Sequence, residues 1–225
     1  MTTRVFLIRH GATELTDEDR FAGAVNVMLS AAGREQARLL GQRLSKEGLV
    51  AVYSSPLQRT VDTAEYVARP HSLTVEKIHA MLEIAHGHWE GMRRADVEHD
   101  FAEEYRRWEN DPYTFAPSGG ESGLDVTARA LPALIALVEK HCDQRFAIVS
   151  HKATIRLLLS SLLGFDPRRY RDRLDQSPAA LNVLDFKDVS APRLTLFNSV
   201  SHYADVGLPE VPHRRLSKVW GNEES

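Results

Sequence analysis

Two arginines and two histidines sit where strands would deliver them to a common end. Arg9 and His10 close a short apolar run, Val5 to Ile8, and lead straight into Gly11, where the chain must turn. Arg59 stands in "SSPLQRT", one turn into a helical pattern behind a second β-rich run, and His151 stands in "VSHKAT" behind another. If these runs are strands of one open α/β sheet, their carboxyl ends place all four side chains in one crevice, beside helix N-termini. Four such groups repel one another unless an anion joins them. A phosphoryl group fits best, because guanidinium forks match phosphate oxygens and a helix N-terminus adds N–H donors. Arg-His-Gly alone is equally well an ordinary surface strand end; the agreement of several such ends is what carries weight.

The elements that must position these residues are legible as an alternation. Strands are predicted over 5–8 ("VFLI"), 50–54 ("VAVYS"), 73–78 ("LTVEKI"), 146–150 ("FAIVS"), 181–186 ("LNVLDF") and 193–198 ("RLTLFN"). Helical patterns lie between them, one over "AGREQARLLGQRLSKEG" with Ala37, Leu40 and Leu44 on one face, and one over "PLQRTVDTAEYVA", where Ser55 is placed to cap and Pro56 to take the first helical position. The β-α-β-α-β order predicts an α/β fold, a mainly parallel sheet flanked by helices on both faces. Residues 83–123, with Gly87, Gly91 and "DPYTFAPSGGESG", break the rhythm and read as a helical and loop insertion capping one end of the sheet. The 225 residues are expected to form a single domain, with a loose C-terminal tail after about 207.

Composition limits the partners. Lys and Arg number 28 against 31 Asp and Glu, a net charge of −3, so no global pull toward nucleic acid or an anionic membrane is expected, and any anion site must be local. Cys142 is the only cysteine, which excludes an internal disulfide and argues against a cysteine-based zinc site. No apolar run approaches membrane-spanning length, and a cytoplasmic protein is expected.

Five motifs, "RHGATE", "SSPLQRTVDTAE", "LEIAHGHWEG", "GGESGLDV" and "VSHKATIR", in this order and spacing resemble the histidine phosphatase superfamily, its phosphoglycerate-mutase-like branch, over about residues 5–203. The resemblance implies the phosphoglycerate-mutase-like fold and a metal-independent phosphohistidine mechanism without a cofactor. It makes His10 the nucleophile, has Arg9, Arg59 and His151 clamp the phosphoryl group, and makes Glu83 the proton donor. It sets Gly11, Thr16 and Gly23 along the bound phosphate. Glu121 and Ser122 either line the pocket or cap a helix starting near Leu124. The chemistry is consistent with these roles. A neutral imidazole attacks phosphorus without a base partner. Fixed cations, a protonated His151 among them, stabilise the equatorial charge of the transition state. A carboxyl group whose proton affinity is raised by burial protonates the departing alkoxide.

Departures from the family pattern are specific. Ala12 replaces an acid, Thr16 and Asn26 replace an asparagine and an acid, Met28 replaces a proline, and Lys152 stands where glycine usually follows the second histidine. Lys152 is either a solvated surface residue or a contact for a second anion on the substrate. His86 and His88 form an H-x-H pair that suits loop packing or support of the site better than zinc without a clear third ligand; Trp89 and Trp108 read as packing or pocket-wall residues rather than a cofactor platform, and His202 is left without a role. "EIAHGHWEG" is similar to the phosphatase form rather than to the longer mutase stretch. The resemblance therefore implies a phosphomonoesterase acting on a small phosphorylated metabolite. A phosphoglycerate-mutase-type transferase and a catalytically silent binding module on the same fold are the alternatives. The natural phosphoester and the oligomeric state, monomer or homodimer, are left open.

Overall fold

A computed structural model describes residues 2–14, 20–23 and 25–208; the predicted tail after 207 thus falls almost wholly outside the described residues. Six strands form one sheet in the order β3-β2-β4-β1-β5-β6: β1 (Thr3–Arg9), β2 (Ala51–Ser54), β3 (Val75–Lys77), β4 (Arg145–Ser150), β5 (Leu181–Phe186) and β6 (Pro192–Ser199). β1 to β4 run parallel. β5 is antiparallel to both β1 and β6. The reversal between β5 and β6 has a simple cause: the five residues 187–191 that join them are too few for a crossover and suffice only for a hairpin.

Side-chain alternation along the strands divides the core in two. Val5, Leu7, Tyr53, Phe146 and Ile148 point to one face and pack with Leu134 and Val138 of α5 (Gly123–Lys140) and Ile155, Leu158 and Leu159 of α6 (Lys152–Leu163). Phe6, Ile8, Val52, Ala147 and Val149 point to the other, against Leu40 and Leu44 of α1 (Ala31–Leu44) and Ala64 and Val67 of α2 (Gln58–Ala68). Burial on both faces explains why these strands read as near-continuous apolar runs. The predicted face of α1 is correct: Ala37, Leu40 and Leu44 are all buried.

Register sets the site end. Arg9 pairs with Ser150 and Ser54 with Val149, so β1, β4 and β2 terminate level with one another. The turn beyond β1 is held by backbone packing: a Cβ on Gly11 would lie 2.4 Å from the Gly33 carbonyl oxygen, so only glycine lets the His10 loop approach the first turn of α1. Ser30 caps that turn by accepting the Gly33 N–H at 3.1 Å.

The α2 boundary differs from expectation. The helix starts at Gln58 behind Leu57, which has no side-chain cap, so neither Ser55 nor Pro56 takes the expected place. The missing acceptor comes from a distant loop: Asn26 Oδ1 accepts the Gln58 N–H at 2.9 Å. Tertiary contact here replaces the local cap that sequence rules look for.

Within residues 83–123 lie α3 (Arg94–Asp100) and α4 (Ala102–Asn110). They close over a small aromatic core of Phe21, Trp89, Tyr105 and Trp108; Trp89 and Trp108 are packing residues, as the sequence suggested. The short α7 (Tyr170–Arg173) follows α6. Among the described residues no helix is long and apolar enough to cross a membrane.

Candidate active site

His10 leaves the end of β1 with its ring in the sheet-end crevice, 7% exposed. Its Nδ1 lies 2.7 Å from the Gly11 carbonyl oxygen. A carbonyl only accepts, so Nδ1 carries the proton and the lone pair is on Nε2. Burial, then the charges of Arg59 and Arg9, hold the His10 pKa well below 6.5. His10 is therefore a neutral imidazole with a nucleophilic nitrogen throughout the physiological pH range.

His151 precedes α6 and its ring meets that of His10 edge-on, with centroids 5.2 Å apart. Its Nε2 pairs with the Ser55 hydroxyl at 2.8 Å, while its buried Nδ1 has no hydrogen-bond partner. Burial, Arg59, His10 and Arg9 push its pKa down as well. The protonated His151 expected from the sequence is thus not the resting form; an arriving dianion supplies the charge that favours its protonation. Ser55, placed by sequence at a helix cap, is instead the residue that orients this ring.

Both arginines are committed in part. Arg9 donates to the Gln176 carbonyl at 2.6 Å, and its buried Nε has no partner. Arg59 donates to the carbonyls of Val25 and Gly23, at 2.7 and 2.9 Å. A guanidinium has five N–H donors, so Arg59 can hold the Gly23 and Val25 carbonyls and still offer positive potential to the crevice. Gly23 enters the site through this carbonyl; its φ of +35° strains any residue with a Cβ there. Gly11 gives its N–H to the Thr63 hydroxyl at 3.2 Å, so the expected Gly11 contact to phosphate is already taken by the protein. Thr16, the other expected phosphate contact, lies outside the described residues.

Glu83 is half-buried and sits on the first turn of α6. Oε1 accepts the N–H groups of Ile84 and Thr154 at 3.0 and 3.2 Å and the Thr154 hydroxyl at 3.2 Å; Oε2 accepts the Ala153 N–H at 3.2 Å. The carboxyl group that the sequence analysis expects as the acid is thus held by backbone N–H groups at a helix N-terminus. Its negative charge acts on both Arg9 and Arg59. Behind it, Arg129 donates to the Glu83 carbonyl at 3.1 Å and to the Glu121 carboxylate at 2.8 and 2.9 Å. Glu121 is therefore a buttress for the Glu83 loop. Ser122 resolves toward its other reading: it caps α5 in a reciprocal capping box with Asp125 and has no bond to the histidines.

Lys152 is three-quarters buried, not a solvated surface residue, with Nζ 3.8 Å from the Asp175 carboxylate. His86 and His88 diverge. His88 pairs with the Ser118 carbonyl and Glu104, whereas His86 packs edge-on to Phe21 with its pKa lowered to about 3 by burial and by Arg171 and Arg94. His202 lies beside Arg43, burial taking it to about 4. Sequence reasoning missed Ser55, Thr63, Thr154 and Arg156. Only Arg156 left a signal, its spacing of four from Lys152 on a predicted helix.

Buried neutral histidines make stability depend on pH in a defined direction. In the unfolded chain each titrates near 6.5, so below that value the unfolded state binds more protons and stability falls as pH falls. His10, His151 and His86 each contribute a slope of roughly 1 kcal/mol per pH unit below about pH 6.5. Glu121 and Asp125, lowered from 4.5 and 3.8, weaken the fold only at more acid pH. The urea midpoint in phosphate-free buffer is expected to fall markedly between pH 7 and pH 5; a constant midpoint contradicts the neutral histidines.

The model of the histidine phosphatase superfamily (branch 1) matches residues 5–199. Phosphoserine phosphatase 1 of Hydrogenobacter thermophilus is 36% identical over 167 residues, 74% of this chain and 79% of that protein. A protein of Mycobacterium tuberculosis named as bifunctional is 34% identical over 202 residues, but the chain spans only 55% of its length. Among solved structures, the mycobacterial glucosyl-3-phosphoglycerate phosphatase superimposes with a TM-score of 0.80 at 28% identity, over 88% of this chain and 100% of that one.

Proposed function

This chain belongs to branch 1 of the histidine phosphatase superfamily and is a phosphoric monoester hydrolase, and from that premise we propose that it hydrolyses a small phosphorylated metabolite through a phosphohistidine on His10. The observation that carries the reading is the His10 tautomer: Nδ1 is bound to the Gly11 carbonyl, which leaves the Nε2 lone pair available on a ring that feels the charges of two guanidinium groups. Nε2 attacks phosphorus, the P–N bond forms and the P–O bond to the alcohol breaks. Glu83, which takes up a proton as the negative charge of the phosphoester arrives beside it, gives that proton to the departing alkoxide oxygen. Arg9, Arg59 and His151 stabilise the charge on the equatorial oxygens, with the α6 N-terminus adding positive potential. Glu83 then takes a proton from water, the water oxygen attacks phosphorus, the P–N bond breaks and inorganic phosphate leaves.

The phosphatase reading is favoured over the mutase by "EIAHGHWEG" and by relatives that are named phosphatases. We also propose a cytoplasmic location, with which the exposed thiol of Cys142, the only cysteine in the sequence, is compatible.

The test is phosphate release from a panel of sugar phosphates, phosphoglycerates, phosphoamino acids and nucleotides. At least one small phosphoester is expected to turn over without a bisphosphate primer. Transfer that requires such a primer, with no phosphate release, would establish the mutase instead, and inertness toward every member would favour a binding module.

A further inference from the structure

Lys152 opens α6 immediately after His151, and Arg156 follows one helical turn later. Both reach the same carboxylate oxygen: Asp175 Oδ1 is 3.8 Å from Lys152 Nζ and 3.1 Å from an Arg156 terminal nitrogen. The Arg156 side chain is 4% exposed and its Nε has no hydrogen-bond partner, which is also true of Arg9 Nε. Arg9 is close enough for its charge to act on both Lys152 and Arg156. Three cations therefore crowd a largely desolvated corner at the edge of the His10 crevice, with Glu83 and the half-exposed Asp175 as the carboxylates acting on them.

Such a corner is unfavourable as it stands. Burial, then Arg9 and Arg156, bring Lys152 down to about 7, and a buried guanidinium nitrogen without a partner has lost its hydration without replacement. The phosphoryl group is met by His10, Arg9, Arg59 and His151 in the mechanism above. Lys152 and Arg156 are left with more positive charge than that group requires.

We propose that Lys152 and Arg156, sharing Arg9 with the phosphoryl site, form a subsite for a second anionic group on the substrate, a carboxylate or a further phosphate carried by the leaving alcohol. This rests on the phosphomonoesterase reading and specifies its substrate class. The incoming anion takes the Lys152 ammonium from Asp175, whose contact with it is long, and pairs with the Arg156 fork. A lysine where the family has glycine then has a function: it adds recognition of the tail while its backbone N–H stays in the helix turn that faces the phosphoryl group.

Calorimetric binding to full-length His10→Ala protein tests this without turnover. 3-Phosphoglycerate is compared with glycerol 3-phosphate, which differs from it in lacking the carboxylate, and fructose 1,6-bisphosphate with fructose 6-phosphate. In at least one pair the doubly anionic member is expected to bind about tenfold tighter or more, and the pair that shows it identifies the second anion. Adding Lys152→Ala is expected to reduce that preference to about threefold or less, while adding Arg156→Lys, which keeps the charge but not the fork, reduces it in part. Equal affinities within both pairs, or a preference that survives Lys152→Ala, would overturn the subsite. If the preference appears but the wild-type protein releases phosphate from no substrate, the hydrolase reading fails and the subsite stands.

Discussion

His10→Ala is expected to lower kcat by about four orders of magnitude or more on any phosphoester that the wild-type enzyme hydrolyses. The substitution removes the atom that forms the covalent intermediate in this mechanism, the Nε2 that the His10 tautomer leaves unprotonated. What remains is direct attack by water on an ester held by Arg9, Arg59 and His151, a residual catalysis that electrostatic clamps alone support. Misfolding is not the expected cause. His10 is a buried neutral histidine, so its removal takes away one of the groups that weaken the fold in acid. The variant is expected to keep its urea midpoint better than the wild type between pH 6.5 and 5. Steady-state rates together with that midpoint separate lost chemistry from lost structure; turnover within about tenfold of wild type would remove His10 from the mechanism.

Glu83→Gln is the second large effect, and it depends on the leaving group. Alkyl phosphates depart as alkoxides that need a proton, so their kcat/KM is expected to fall by about 10²–10⁴-fold. Aryl phosphates leave as stabilised phenolates and are expected to lose about tenfold or less. The contrast matters because Glu83 also accepts the N–H groups of Ala153 and Thr154 on the first turn of α6. A glutamine amide would set its own N–H₂ against one of those donors, and that structural fault would reduce both substrate types alike. A steep dependence on the alcohol therefore reports proton transfer, whereas equal losses would assign Glu83 to holding the helix and move the acid elsewhere.

The parts of this protein visible in its sequence are those governed by local rules. β1, β4 and β5 are short runs of apolar residues because both of their faces are covered, and such runs between glycines and polar turns are recognisable wherever they occur. Arg9, His10, Arg59 and His151 could be placed together because each follows such a run, and the register of Arg9 with Ser150 and of Ser54 with Val149 brings those ends level. Glu83 was legible only through its motif. No periodicity marks it, and its position depends on contacts with α6, about 70 residues away in the chain.

What escaped the sequence was partner choice. Ser55 has the residue type and position of a cap, yet its hydroxyl serves His151, and the cap of α2 is completed by Asn26 from a loop 32 residues earlier. Ser122 satisfied both a pocket role and a capping role, and only the bond to Asp125 decides between them. The charge states were equally hidden: His151 has the type of a cation, but its burial beside Arg59, His10 and Arg9 makes it neutral. Lys152 reads either as a solvated lysine at a helix start or as a contact for a second anion, and its burial, which follows from α6 packing next to Arg9 and Asp175, has no local signal. Long-range contacts of this kind have no signature in a single chain of letters.

The most direct measurement is capture of the intermediate. Wild-type enzyme is mixed for a short time with a ³²P-labelled substrate found by the panel, quenched in alkali and mapped by peptide mass spectrometry. Phosphoramidate is expected on His10, stable to base, lost in acid, and absent from the His10→Ala variant. Phosphate attached to any other residue, or multiple-turnover hydrolysis with no phosphoenzyme under conditions where its breakdown has been made rate-limiting, would contradict nucleophilic catalysis by His10.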